Sequence, residues 1–189
     1  MIQDLLNNSY NNTYNPKAEP SENSFIVYFY NNELLCHTKG NIKSLENAIP
    51  GKAGSEEVFW SLPTYKEINS FHRLNNDDLT YLFKMKFDGD EKEFYLLKND
   101  TMLTHSGLDY IPALKFRSLK PLSVSFAIIT AWQLYSWYRD NSYCGRCGHK
   151  TILDGKERMV KCPDCGNMIY PKICPGVIVG IINKGRILL

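Results

Sequence analysis

The chain lacks a strong charge, a long apolar run and a leader-like start, and each absence removes a class of function. Lys and Arg number 22 against 20 Asp and Glu, a formal charge of +2 that supplies no field for a polyanion. Met1 to Tyr10 has neither a basic start nor a sustained apolar stretch, so no signal peptide is expected. The most apolar segment, Val124 to Leu134, is interrupted by Ser125, Thr130 and Gln133 and is too short to span a bilayer. No membrane partner is expected, and the plain expectation is a reducing cytoplasm, where paired cysteines favour metal over disulfide.

What is present is an ordinary globular composition. Hydrophobic residues make up 43% of the chain, with 12 Tyr, 9 Phe and 3 Trp, enough to build a core in one sizeable domain or two small ones. Residues 1–23, rich in Asn and Ser and broken by Pro16 and Pro20, read as a flexible arm. Phe25 to Tyr30 reads as a strand with Glu33 to His37 as its hairpin partner across Asn31-Asn32. Val58 to Leu62 is a third strand candidate. Tyr81 to Phe87 and Glu93 to Leu97 flank the turn Asp88-Gly89-Asp90. Apolar residues at Phe126, Ile129, Trp132 (or Gln133) and Trp137 predict a helix over Ser123 to Arg139, with Ser123 as its cap and Asn141 closing it. Its aromatic stripe reads as core packing. The expected fold class is α+β, with an N-terminal, mainly antiparallel β domain over 24–140 that ends in a helix.

Four of the six cysteines carry the chemistry. Cys144-Gly-Arg-Cys147 and Cys162-Pro-Asp-Cys165 are matching knuckles, in which two intervening residues let one tight turn aim both sulfurs at one metal. The gap between the pairs is one residue shorter than the usual window for this spacing, which a tighter hairpin absorbs. Residues 141–171 are therefore expected to be a zinc ribbon, with Zn²⁺ structural and held by Cys144, Cys147, Cys162 and Cys165. Gly145 and Gly166 are the glycines expected to ease the wrap around sulfur, with Gly148 outside the pairing. His149 reads as a surface residue made redundant by four thiolates, and Cys36 and Cys174 as packing residues. Past the ribbon, residues 172–189 read as an apolar strand, the turn Asn183-Lys-Gly185 and the start of a second strand. Such strands need further sheet or a covering partner.

These segments together resemble a known family. Tyr143-Cys-Gly-Arg-Cys-Gly-His149, Cys162-Pro-Asp-Cys-Gly166, Ile169-Tyr-Pro171, Val177-Ile-Val-Gly-Ile181 and Arg186-Ile-Leu-Leu189 look like NADH pyrophosphatase, a zinc-ribbon Nudix hydrolase. The helix bearing Trp132 and Trp137, and Phe116-Arg-Ser-Leu119 before it, are also similar. The resemblance implies that residues 172–189 open a Nudix α/β/α domain. It implies hydrolysis of NADH or NAD⁺ to nicotinamide mononucleotide and AMP with Mg²⁺ or Mn²⁺, and NAD-capped RNA as a further substrate. It also implies a homodimer with the substrate site near the subunit junction. Three residues match positions near the substrate in that family: Tyr170, whose ring can stack a base, Arg117, whose guanidinium can meet phosphate, and Glu157.

The family's metal-holding motif, with its Arg-Glu and Glu-Glu pairs, does not occur in these 189 residues, which stop before the position where it would lie. No catalytic residue is therefore assigned, and this chain alone is expected to be inactive, supplying dimerisation and support for the substrate site. Asp88, Asp90, Glu91 and Glu93 form a dense acidic cluster that reads as a solvated turn. Two other readings compete. Arg146, Lys150, Lys156, Arg158 and Lys161 give the ribbon a basic face for nucleic acid, although the loop from Thr151 to Lys161 holds no aromatic for stacking. A scaffold or dimerisation module is the second.

Overall fold

The computed structural model describes residues 5, 7–39, 59–117, 119–172, 179–183 and 185–188. Val58 and all of residues 173–178, Cys174 among them, lie outside the described residues. The fold is mixed α+β. Strands β1 (Ser9–Asn11), β2 (Phe25–Val27), β6 (Leu79–Phe87) and β7 (Asp90–Leu97) form one sheet in the order β1-β6-β7-β2. A second sheet is built on β4 (Glu33–Lys39), which pairs with β3 (Phe29–Tyr30) and β5 (Phe59–Ser61), and with β8 (Leu108–Pro112). Helix α1 spans Tyr65–Phe71 and helix α2 spans Leu122–Asp140.

The alternation of side chains along a strand divides the core between the two helices. Leu34, Cys36, Phe94 and Leu96 join the cluster that α2 covers with Ala127, Ile128, Ala131 and Leu134. Leu35, Tyr95 and Leu97, their neighbours in sequence, turn the other way and pack with Ile68 of α1. A register shift between Tyr81 and Phe83 breaks this rule once, and Leu82 and Phe83 both fall in the α2 cluster.

Several expectations hold. Asn31 and Asn32 both take positive φ, 48° and 65°, the backbone that a two-residue hairpin requires. Asp88 and Gly89 do the same between β6 and β7. Lys84 bridges Glu91 at 3.1 Å and Glu93 at 3.0 Å, so the acidic cluster is a charged turn with a local cation. Asn141 closes α2 by donating Nδ2 to the Trp137 carbonyl at 2.7 Å.

Others are corrected. The opening stretch is not all arm, since Ser9–Asn11 pairs with β6 and Tyr10 packs edge-on against Phe83 and Phe126. One aromatic anchor holds a polar segment that has no periodicity to announce it. The strand expected over Phe25 to Tyr30 is split at the buried Tyr28, whose hydroxyl donates to the Thr101 carbonyl at 2.6 Å. On one side the chain runs parallel to β7, on the other antiparallel to β4. Helix α2 starts at Pro121 without a side-chain cap, and it is Ser125, not Ser123, that makes the local bond, donating to the Leu119 carbonyl at 2.8 Å. Its buried face is Ser125, Ala127, Ile128, Ala131 and Leu134, one step round from the aromatic stripe. The small residues let the sheet approach, while Phe126, Ile129 and Trp132 close the flanks.

Among the described residues no helix is long and apolar enough to cross a membrane. At the far end, β12 (Ile181–Asn183) and β13 (Arg186–Leu188) form an antiparallel hairpin, as expected. Its side chains are open, with Ile181 at 58% and Ile182 at 73% exposure.

Candidate metal centre and the ribbon that carries it

Helix α2 delivers the chain into the ribbon directly. Thr151 donates its hydroxyl to the Asn141 carbonyl at 2.6 Å and its backbone N–H to the Ser142 carbonyl at 3.0 Å, stitching the loop after the first knuckle to the end of the helix. Three short strands follow, β9 (Ile152–Leu153), β10 (Val160–Lys161) and β11 (Met168–Ile169), with β10 in the centre.

The two knuckles are built alike. Cys144 N–H donates to the His149 carbonyl and Gly148 N–H to the Cys144 carbonyl, both at 2.8 Å. Cys162 N–H donates to the Asn167 carbonyl at 2.9 Å and Gly166 N–H to the Cys162 carbonyl at 3.1 Å. The glycines that turn the chain are Gly148 (φ +79°) and Gly166 (φ +69°). This corrects the expectation for Gly145, which does not take positive φ. The true pair sits immediately after the second cysteine of each knuckle, where a side chain would be strained.

The sulfurs converge. Cys144 Sγ lies 3.6 Å from Cys165 Sγ and Cys147 Sγ 3.4 Å from Cys162 Sγ, and all four sulfurs fall within 4.8 Å of one another. A disulfide requires about 2.05 Å, and the thiols are free. Four thiolates bound tetrahedrally at about 2.3 Å would stand about 3.8 Å apart. The donor set and its spacing therefore fit zinc. Cys144 and Cys162 are buried, while Cys147 and Cys165 are half-buried. Backbone N–H groups of Arg146 and Cys147 aim at Cys144 and lower its thiol pKa, whereas burial and the crowding sulfurs of Cys162, Cys165 and Cys144 raise that of Cys147. Asn167 Nδ2 adds a further contact to the same sulfur at 3.6 Å.

His149 is exposed, as expected, with Nδ1 3.4 Å from Asp164 Oδ2, a contact that ties the knuckles together outside the sulfur cage. Cys36 is fully buried on β4, and burial pushes its thiol up to about 12, consistent with an inert packing residue.

Two of the three residues matched to the substrate site are brought together. Tyr170, just past β11, donates its hydroxyl to Glu157 Oε2 at 2.8 Å. Glu157 sits in a turn pinned by Asp154, whose Oδ2 accepts from the N–H groups of Lys156 at 2.7 Å and Glu157 at 2.9 Å. Those N–H groups hold the Asp154 carboxyl below the ordinary range. Tyr170 is 47% exposed, so its ring presents a face to solvent. Arg117 lies elsewhere, exposed at the end of the 3₁₀ turn Ala113–Arg117, and no described contact joins it to the pair.

The sequence reading missed the anchors that seat the ribbon. Arg158 Nη2 donates to the Leu82 carbonyl on β6, and its guanidinium lies over the Tyr14 ring, 5.2 Å from the centroid. Tyr14 in turn donates its hydroxyl to the Asp154 carbonyl at 2.8 Å. The signal for these is an arginine between the knuckles, which the sequence reading assigns to a basic face for nucleic acid and which the fold instead turns onto the N-terminal domain.

Comparison with known proteins agrees with this geometry. Residues 139–170 match the family model described as NADH pyrophosphatase zinc ribbon domain. The chain is 30% identical over 95 residues to the NAD-capped RNA hydrolase NudC of Pseudomonas aeruginosa, covering 50% of this chain and 34% of that protein. The same-named proteins of Haemophilus influenzae and Escherichia coli O1:K1 / APEC are 39% and 40% identical over 57 residues, 30% of this chain and 22% of theirs. The chain thus spans about a third or less of the curated relatives it matches.

Proposed function

We propose that this chain is the N-terminal and zinc-ribbon part of an NAD(H) pyrophosphatase, one that hydrolyses the dinucleotide to nicotinamide mononucleotide and AMP and acts on NAD-capped RNA. The observation that carries the reading is the four-sulfur cluster in a ribbon whose central turn, at Glu157, is joined to its exit, at Tyr170, by a hydrogen bond. Cys144, Cys147, Cys162 and Cys165 hold a structural zinc, which when bound fixes the two knuckles to each other and leaves no open coordination position. Tyr170 offers its ring to the nucleotide, Glu157 holds that ring's tilt through the hydroxyl, and Arg117 supplies a cation to phosphate.

On this reading the acidic motif and its Mg²⁺ or Mn²⁺ belong to a catalytic domain that residues 172–189 begin. The hairpin β12–β13, with its exposed isoleucines, supports this as the first piece of a larger sheet. The 189 residues alone are inactive, work in the cytoplasm and contribute to a homodimer.

The test combines metal content with nucleotide binding. Elemental analysis is expected to give one zinc per chain, and NADH fluorescence to show saturable binding that Tyr170→Ala weakens with zinc retained. Absence of zinc, or binding indifferent to Tyr170→Ala, would count against the assignment.

A further inference from the structure

The turn that carries Glu157 is fixed before Glu157 reaches Tyr170. At its root, Tyr14 of the N-terminal arm donates its hydroxyl to the Asp154 carbonyl at 2.8 Å. Asp154 N–H donates to the Met159 carbonyl at 3.1 Å and Met159 N–H to the Glu157 carbonyl at 2.8 Å, so the loop closes on itself. Met159 is buried, and its neighbour Arg158 reaches the Leu82 carbonyl on β6. Inside the loop one carboxylate oxygen, Asp154 Oδ2, accepts from the N–H groups of both Lys156 and Glu157. An aspartate that bonds backbone two and three residues on sets the path of the turn between them.

This matters because Glu157 and Tyr170 are both exposed. An exposed glutamate on a loose turn samples many rotamers and directs nothing. With its backbone held, Glu157 delivers Oε2 to the Tyr170 hydroxyl at 2.8 Å, and that bond sets the direction of a ring that packing leaves open. Four side chains thus stand in one order, Tyr14 to Asp154, Asp154 to Glu157, Glu157 to Tyr170, each link a hydrogen bond.

We infer that Asp154 is a positioning residue for Tyr170, and that Tyr14 extends this control to the N-terminal arm. The inference rests on the reading of Tyr170 as the ring that meets the nucleotide, and it adds how that ring is held. Neither Asp154 nor Tyr14 touches the ligand. They act by ordering the ring beforehand, so that binding does not have to immobilise it. The charge of Asp154 also reaches Tyr170 directly. The Tyr170 pKa is raised first by the Glu157 bond and last by Asp154 through space, so a test of positioning must keep the two apart.

The test follows the Tyr170 ring by carbon NMR through alkaline titration, and NADH binding by fluorescence, in the zinc-loaded 189-residue chain. Asp154→Ala removes acceptor and charge together. Asp154→Asn removes only the charge, because an asparagine oxygen can close the same turn. Tyr14→Phe removes only the hydroxyl at the root. Asp154→Ala should bring the Tyr170 pKa toward the ordinary phenol value and weaken NADH binding about fivefold, the cost of ordering one side chain on binding. Asp154→Asn should keep most of the pKa rise and bind within about twofold of the parent, and Tyr14→Phe should lose about twofold, in the direction of Asp154→Ala. Zinc content and circular dichroism are the folding controls for each variant. An equal fall in the Asn and Ala variants overturns the inference, since charge and not placement would then act. So does a Tyr170 titration unmoved by Asp154→Ala and Tyr14→Phe. If the chain binds no NADH, or binds it regardless of Tyr170→Ala, the nucleotide reading fails, and the ring titration still decides whether Asp154 positions Tyr170.

Discussion

The hydroxyl of Tyr170 donates to Glu157 Oε2 at 2.8 Å, tying the strand that leaves the second knuckle to the turn between β9 and β10. The carboxylate acceptor favours the neutral phenol, and the Tyr170 pKa is raised mainly by this bond. Glu157→Gln keeps an acceptor but removes its charge, so the Tyr170 pKa should fall toward the ordinary phenol value. Carbon NMR of the ring carbon bearing the hydroxyl, followed through alkaline titration, reads this directly. An unchanged or rising pKa would show that the bond does not persist in solution.

Zinc removal should unfold the ribbon. The small sheet has few buried side chains, chiefly Met159 and Val160, and cannot hold itself without the metal. A strong chelator, or Cys162→Ser, should release zinc and expose residues 144–170 to protease. An unchanged digestion pattern and retained stoichiometric metal would show that the ligand set is wrong.

Arg158 should set how firmly the ribbon sits on the domain. It supplies a bond to the Leu82 carbonyl and a cation over Tyr14. Arg158→Ala removes both, at a cost of about 1–3 kcal/mol in urea unfolding. Zinc content should stay at one per chain, which separates seating from folding.

The start of α1 is a capping box, in which Thr64 Oγ1 accepts from Glu67 N–H and Glu67 Oε2 accepts from Thr64 N–H. Thr64→Ala should destabilise the domain by about 1 kcal/mol. A denaturation midpoint equal to that of the parent would show that the cap contributes nothing.

Alkaline pH should weaken the N-terminal domain. Burial raises Cys36 from 9.0 to about 12 and Tyr14 from 10.0 to about 12. In both cases the folded state keeps a proton that the unfolded chain gives up. This contribution is intact below pH 9 and is lost as pH rises from 9 to 12. Urea unfolding followed by tryptophan fluorescence at pH 8, 9, 10 and 11 should show a plateau and then a fall. Cys36→Ala should delay the onset toward pH 10, while a monotonic fall beginning near pH 7 would contradict the assignment.

The metal centre was legible because its signal is local: two turns, each closed within six residues, announce themselves by cysteine spacing. The strands at Tyr81 and Glu93 were legible because a glycine turn and alternating residues lie side by side. What escaped depends on distance. Ser9–Asn11 has no pattern of its own and is a strand because Tyr10 finds Phe83 and Phe126. Phe25 to Tyr30 reads as one apolar run, and only the partners of Tyr28, Asn99 and Thr101, show where it changes sheets. The capping box at Thr64 is visible in the sequence as Thr-x-x-Glu directly after Pro63. Gly148 was misread because its role follows from a hydrogen bond to Cys144, not from the two-residue gap.

The contact between Tyr14 and Asp154 spans 140 positions of sequence, whereas the sulfurs of the cage span at most 21. Chain closure over so short a span is fast, and contacts across most of the sequence come late. During synthesis the arm is made first and waits for the ribbon. The metal-closed ribbon forms on its own schedule and locks down last, so that Tyr14 and Arg158 act as the final latch. Refolding of zinc-loaded chain should then show ribbon protection from hydrogen exchange before the phenol of Tyr14 is protected.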